Sequence, residues 1–413
     1  MNNTIEIKQS NRDLYVLLGF MAFEFIHFQD NIFPFLGVLR IPLFFSLYLI
    51  FIVLKSYKIV LADPILKLCF MFSIMLVFAV PFARNNFHAY QVSKFMALNM
   101  FVIAAMVLIL NSRQRLEVFI KWFIWIYFIV ALLVIRNGGT GPGGFLKDEN
   151  DVALLMGVAL PYPWYMLKSN SLSKFNKFFY LSCLVVFTVA LVVSSSRGGL
   201  LGFVAMLLAL VLFSERPVRN MLVTLTLAVV VGTSALSLLP KDYVDDMETI
   251  SDKGNSTRNL RFMHWTAAYE MFKDNPILGV GPGNYPWNSD RYFHYSRHFN
   301  PSARNRSGRQ SHSLYFTLIP ETGLVGICLF VTILLRILTR AKKILKERVH
   351  FDSSHNQPDY FYLLSVKIIL AALVAFLVSG VFISVLYYPI FWFLCGFFAA
   401  LYKVWEGESS NAA

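Results

Sequence analysis

Charge is what this sequence has least of. Only 15% of its 413 residues are Asp, Glu, Lys or Arg, against about a quarter in soluble domains. So few cannot cover the surface of a soluble chain of this length. Cysteine is scarce as well. Cys69, Cys183, Cys328 and Cys395 each sit inside an apolar run without CxxC spacing, which argues for small core residues rather than a disulfide framework or a thiolate metal site. There is no DxD metal–nucleotide motif, and no internal repeat of the kind many carriers are built from. What remains is apolar: 57% of the residues are A, V, I, L, M, F, W, Y or C, and the mean hydropathy is +0.57. At about 20 apolar residues per crossing, that suffices for roughly a dozen transmembrane helices. The composition excludes a soluble enzyme, a secreted disulfide scaffold and a nucleic-acid-binding module. Lys and Arg number 37 against 24 acids, an excess read first as loop orientation in a membrane protein.

Apolar runs at about 14–28, 38–54, 62–82, 92–110, 116–135, 152–167, 178–195, 199–213, 219–239, 313–335, 361–384 and 386–402 predict an all-α polytopic membrane protein with about 12 spans. The polar start MNNTIEIKQSNRD has no cleavable-signal pattern, so the first span is expected to stay in the protein. Basic residues alternate from loop to loop. Lys55/Lys58/Lys67, Arg113/Arg115/Lys121, Lys168/Lys174/Lys177, Arg216/Arg219 and a last inner loop with Arg336, Arg340, Lys342, Lys343, Lys346 and Arg348 mark one side, which places both termini in the cytoplasm. The chain then divides into spans 1–9 (1–240), a large periplasmic loop (241–312), and spans 10–12 with a cytoplasmic tail (313–413).

That loop holds the groups with chemical capacity. Its segment 257–273 spaces Leu260, Met263, Trp265, Ala268 and Met271 helically and is expected to lie against the membrane face. Arg258 and Arg261 share a face of it, as a phosphate-binding pair or a solvated basic face. Arg197, after Ser194–Ser196 and before Gly198–Gly199, offers a guanidinium fork beside backbone that a phosphate can approach, or snorkels to headgroups. Arg84, after the third span, poses the same choice. His312 stands between Ser311 and Ser313 at the loop–membrane junction, as a proton acceptor for a sugar hydroxyl or as a loop histidine. Residues 147–151 could hydrogen-bond a sugar, but capping of the sixth span is the better fit. Gly279–Gly283 reads as a turn rather than a phosphate loop, because no strand precedes it. His264 and Trp265 read as packing residues, His294 and His298 as solvated, and Glu321, inside a span, needs a partner.

Taken in order, Phe145-Leu146-Lys147-Asp148-Glu149-Asn150-Asp151, Ser194-Ser195-Ser196-Arg197-Gly198-Gly199, Arg261-x-x-x-Trp265, the run Asn275 to Tyr285, His312-Ser313-Leu314-Tyr315 and Glu321-Thr322-Gly323-Leu324-Val325-Gly326 resemble the O-antigen ligase superfamily. That superfamily includes O-antigen ligases, O-antigen polymerases and protein O-oligosaccharyltransferases, and the resemblance runs through roughly 140–400. It implies a GT-C-type glycosyltransferase of the bacterial inner membrane. Such an enzyme takes a glycan from undecaprenyl pyrophosphate on the periplasmic face and passes it, with inversion and without metal or other cofactor, to a lipid A–core acceptor or another glycan. By the same resemblance Arg197 and Arg261 would bind the donor pyrophosphate; Arg258 and Arg84 are further candidates for it from their own positions in the sequence. His312 would handle the acceptor hydroxyl, and Asn150, Tyr315, Arg309 and Glu321 are candidate acceptor or glycan contacts. The basic run Arg304–Arg309 has no counterpart in the family pattern; an acidic glycan, core phosphates or lipid headgroups are candidates for it. The expected partners are the lipid-linked donor, the glycan acceptor and membrane lipids, not nucleic acid. The rival of another class is a lipid-linked-glycan transporter, disfavoured because carriers hold such groups near the bilayer midplane.

The orientation is open to direct labelling. In a cysteine-free background, a cysteine at 255 or 300 should react with an impermeant maleimide on intact cells, and one within 340–346 only after lysis. The reverse pattern would overturn the topology.

Overall fold

The computed structural model describes residues 10–168, 172–214, 219, 256–299, 308–351 and 360–412, and among them there is no strand. The helices begin where the sequence offers a cap. Ser10 caps α1 (Asn11–Ile26), Asp63 caps α3 (Pro64–Ala79) with Pro64 behind it, and Asn85 caps α4 (Asn86–Ile109). Ser112 caps α5 (Arg113–Arg136) and Asp148 caps α6 (Glu149–Ala159). Ser173 caps α8 (Lys174–Val193) and Ser196 caps α9 (Arg197–Leu212). In each, the side-chain oxygen takes up a backbone N–H that the first turn leaves unpaired. Further helices used below are α2 (Ile41–Lys55), α7 (Pro161–Met166), α10 (Ser256–Asp274), α11 (Tyr315–Phe351), α12 (Tyr360–Ser379) and α13 (Pro389–Ala412).

Eight of these helices, α2 being extended back to Leu36, are long and apolar enough to cross a membrane, and α9 adds a shorter apolar helix. The protein is an all-α polytopic membrane protein. Two expected spans are modified. The run 152–167 is split at Leu160–Pro161 into α6 and α7, since Pro cannot donate to the preceding turn. The helix begun at Tyr315 continues, across a kink at Gly323, to Phe351, and the part beyond the kink is about 42 Å long at ~1.5 Å per residue. Arg336, Arg340, Lys342, Lys343 and Lys346 therefore ride on a helix rather than in a loop. The expected span 219–239 lies outside the described residues, apart from Arg219. Cys69, Cys183 and Cys395 are buried as core residues, whereas Cys328 is exposed on the flank of α11.

Up-and-down connectivity brings residues 137–148, 194–197, 275–299, 308–315 and 380–388 to one end of the bundle. At the other end the near-buried pair Asp63–Arg340, at 2.6 Å, ties α11 to α3. The tightest crossing carries α9 past α6 and α12. A Cβ on Gly199 would stand 2.2 Å from the Ala153 Cβ, and one on Gly202 would stand 1.9 Å from Ser379 Oγ and 2.8 Å from Ala375 O. Small residues let backbones approach where no hydrophobic gain drives helices together in lipid. Gly202→Val should therefore destabilise the protein by about 1–3 kcal/mol or more, seen as a lower midpoint in detergent thermal unfolding. An unchanged midpoint would mean that this crossing is looser than described.

Candidate functional site

The site is assembled around a break in α11. Gly323 has φ 60° and ψ −162° inside an otherwise helical run, and Pro320 upstream lacks an N–H to donate. The interruption frees polar backbone groups that a bilayer would penalise by several kcal/mol each, and the turn 276–285 takes them up. Leu324 N–H donates to Pro276 O (2.8 Å), Val325 N–H to Ile277 O (3.2 Å), Val280 N–H to Pro320 O (2.8 Å) and Gly281 N–H to Glu321 O (3.2 Å). The approach is so close that a Cβ on Gly323 would lie 2.4 Å from Ile277 O. The Glu321 side chain, with no solvent exposure, completes the latch. It accepts from Gly283 N–H (2.7 Å), Tyr285 N–H (2.8 Å) and the Tyr387 hydroxyl (2.7 Å). A carboxylate surrounded by donors from three positions is the arrangement that makes a buried acid tolerable.

α10 seats on this platform. Met263, Ala267, Ala268 and Met271 are buried, packed with Phe293 and Tyr285. Trp265 stacks on Phe316 and donates to Ser311 O (3.2 Å), while buried His264 pairs its Nδ1 with the Tyr285 hydroxyl (2.8 Å). The packing roles expected for both hold. Arg261 is thereby carried to the Phe382 ring, 5.7 Å from its centroid, and close enough to Arg197 that the two like charges act on each other. Burial, and then Arg197, hold the Arg261 guanidinium below its ordinary pKa.

His312 enters the same neighbourhood from the loop just before α11. Leu314 N–H donates to Gly380 O (2.6 Å) and Ser313 N–H to Ser384 Oγ (3.3 Å), while Ser311 Oγ bonds Thr317 Oγ1 (2.9 Å). These bonds fix the residues on both sides of His312, whose backbone is left-handed at φ 51°, a region where His is among the few side chains enriched. Its side chain opens onto a cavity of about 450 Å³ also lined by His88, Gln91, Phe95, Asp148, Asn150, Asp151, Gln310, Phe382 and Tyr388. The protein around it strips part of its hydration, Arg261 adds positive charge, Asp148 opposes and Arg309 reinforces, so the imidazole is held below its ordinary pKa of 6.5. These surroundings favour the neutral form of the imidazole.

Of the residues singled out in the sequence, Arg261 is thus brought within electrostatic reach of both Arg197 and His312. Arg197 begins α9, where the helix N-terminus adds its own positive field. Ser195 just before it is left-handed at φ 53°. Ser196 donates to Asn150 Oδ1 (2.7 Å) and accepts from Gly199 N–H (3.1 Å). Asn150 in turn donates to Asp148 Oδ1 (2.8 Å), so the capping expected of 147–151 and the serine turn form one unit. Arg258 lies one turn before Arg261 on α10, and Arg309 is exposed beside His312. The rest are engaged within the protein. Arg84 donates to Trp287 O, the Tyr315 hydroxyl to Leu377 O (2.9 Å), and Glu321 forms the latch above. Gly279–Gly283 is a turn, with positive φ at Gly279, Gly281 and Gly283. His294 is exposed and His298 stacks on Phe262. Arg304 and Arg306 lie outside the described residues. The cavity residues His88, Gln91, Gln310, Tyr387 and Tyr388 were not singled out in the sequence. For α4 a signal exists: His88, Gln91 and Phe95 recur at i, i+3 and i+7, one face of a helix.

The latch makes a definite demand. Glu321→Gln places one amide N–H₂ where only acceptors fit, leaving a buried donor unsatisfied at about 1–3 kcal/mol. The expected result is a lower unfolding midpoint and faster protease cleavage within 275–295. Unchanged midpoint and cleavage would show that the loop is held by other contacts.

Comparison with known proteins gives one family. Residues 182–331 match the family model described as O-antigen ligase, a segment that contains Arg197, Arg261, His312 and Glu321. No curated protein matches the chain. Over that segment this multi-pass membrane protein is similar to the O-antigen ligase family, which supports a ligase- or polymerase-type function in general terms.

Proposed function

We propose that the chain is an inverting, metal-independent glycan ligase of the bacterial inner membrane. It would move a saccharide from undecaprenyl pyrophosphate to a lipid A–core acceptor on the periplasmic face, with both termini in the cytoplasm. The observation that carries this reading is the convergence of Arg197 and Arg261, a like-charged pair close enough to act on each other, beside a histidine that opens onto a cavity. Two guanidiniums held against each other's repulsion suit a polyanion. When a lipid pyrophosphate binds, its charge relieves that repulsion, and it becomes a better leaving group as charge develops on it.

The step is a single displacement. The acceptor oxygen attacks the anomeric carbon from the face opposite the pyrophosphate, and the C–O bond to phosphate breaks with its electron pair leaving on the lipid pyrophosphate. The acceptor proton passes to the His312 imidazole. The α9 N-terminus and the two arginines hold the leaving group. The serine-lined stitching around His312 holds the imidazole toward the acceptor.

Arg197→Ala or Arg261→Ala should each lower transfer by about 10²-fold or more with normal membrane insertion, and Lys should restore only part of it because it lacks the planar fork. His312→Ala should cost about 10²–10⁴-fold. Because the His312 pKa lies below 6.5, the neutral base persists at pH 7. The wild-type rate should be flat above neutrality and fall on acidification through a value under 6.5. Full activity in both arginine variants, or near-normal turnover in His312→Ala, would remove the mechanism.

A further inference from the structure

The cavity that His312 faces has a second side that the donor chemistry does not use. α4 supplies His88 and Gln91, α6 supplies Asp148 at its N-cap, and Gln310 precedes His312. Three of these are chemically open. The Gln91 and Gln310 amides make no hydrogen bond among the described residues. Asp148 directs only Oδ1 to the helix start and to Asn150, leaving Oδ2 to accept. Amides that both donate and accept, with a carboxylate oxygen beside them, match the paired hydroxyls of a sugar ring. Phe382 and Tyr388 add apolar faces for its C–H side.

Charge narrows the ligand. Among the described residues the carboxylate of Asp148 lines this cavity and neither lysine nor arginine does. The arginines of the donor site stand on its border, Arg261 over the Phe382 ring at 5.7 Å. The cavity volume of about 450 Å³ falls in the range of roughly 300–1,000 Å³ usual for small-molecule sites. We propose that the wall formed by His88, Gln91, Asp148 and Gln310 is the acceptor-sugar subsite, and that it takes a neutral or amino-bearing sugar and rejects an acidic one. This rests on the transferase reading above for the word acceptor, but not for the sugar selectivity. His88 and Gln91 lie on α4, outside both the family-matched segment 182–331 and the stretch from about 140 onward that carries the family resemblance.

The test is binding without turnover. The full chain in nanodiscs is titrated by saturation-transfer NMR with a methyl hexopyranoside, a methyl 2-amino-2-deoxyhexopyranoside and a methyl hexuronopyranoside. The first two should bind, the uronide at least about tenfold more weakly because like charges meet in the site. Gln91→Ala should weaken the hexoside by about tenfold, the worth of roughly one hydrogen bond. Asp148→Asn keeps the helix cap, since Asn caps as well as Asp, and should bring the uronide within about threefold of the hexoside. Equal or tighter binding of the uronide by the wild type, no loss in Gln91→Ala, or no saturation transfer from any glycoside would overturn the proposal. Transfer assays separate the two readings. Sugar binding as stated with no transfer from any lipid-linked donor sinks the transferase and leaves the subsite. Transfer equally to neutral and acidic acceptors sinks the subsite and leaves the transferase.

Discussion

An unpaired backbone in a membrane is the constraint on which this structure turns. Breaking α11 at Gly323 exposes carbonyls and amides that lipid cannot satisfy, and they are met by the turn 276–285 and sealed by Glu321. Everything at this end of the bundle takes its position from that union. The turn feeds Tyr285 to His264, His264 and its neighbours seat α10, and α10 carries Arg261. The first half of α11, which the break frees from the line of the second, begins at the loop that holds His312. A straight helix through 313–335 would satisfy its own backbone but would leave the loop without an anchor.

The same end of the molecule separates its charges. Cationic groups gather between the start of α9 and α10, and carboxylate and amide groups from α6 and α4 line the cavity, which His312 also lines while feeling Arg261. Strain marks the junction: Ser195 and His312 are two of only four non-glycine residues with positive φ among the described residues. Such conformations cost about 1–3 kcal/mol each and persist only where surrounding structure over-determines them. Here that structure is visible in the Ser196–Asn150–Asp148 chain on one side and the Ser311–Thr317–Ser384 cluster on the other.

Much of this was legible in the sequence, and for stated reasons. Long apolar runs fix helices wherever caps bound them, so α3, α4, α5, α8 and α12 fall close to their expected places. Arg197, Arg261 and His312 stand out because charge at a membrane surface is rare. Glu321 was legible as a buried acid in need of a partner, but its partners are backbone N–H groups of a turn about forty residues away, which no side-chain pattern announces. Tyr315 and Arg84 looked available for ligand because their carbonyl acceptors, Leu377 O and Trp287 O, carry no sequence signature. His88 and Gln91 lay within an apolar span, and what makes them site residues is the arrival of loop and linker from residues 283 and 382–388. Identity of the spans is a local property; the composition of a cavity is not.

Electron cryomicroscopy of the protein with a non-transferable lipid pyrophosphonate glycan tests the central claim most directly. Density for the two phosphorus groups between Arg197 and Arg261, with the first sugar turned toward His312, is the expected result. Phosphorus density at the opposite end of the bundle, near Trp164 and Lys367, or sugar directed away from His312, would contradict it.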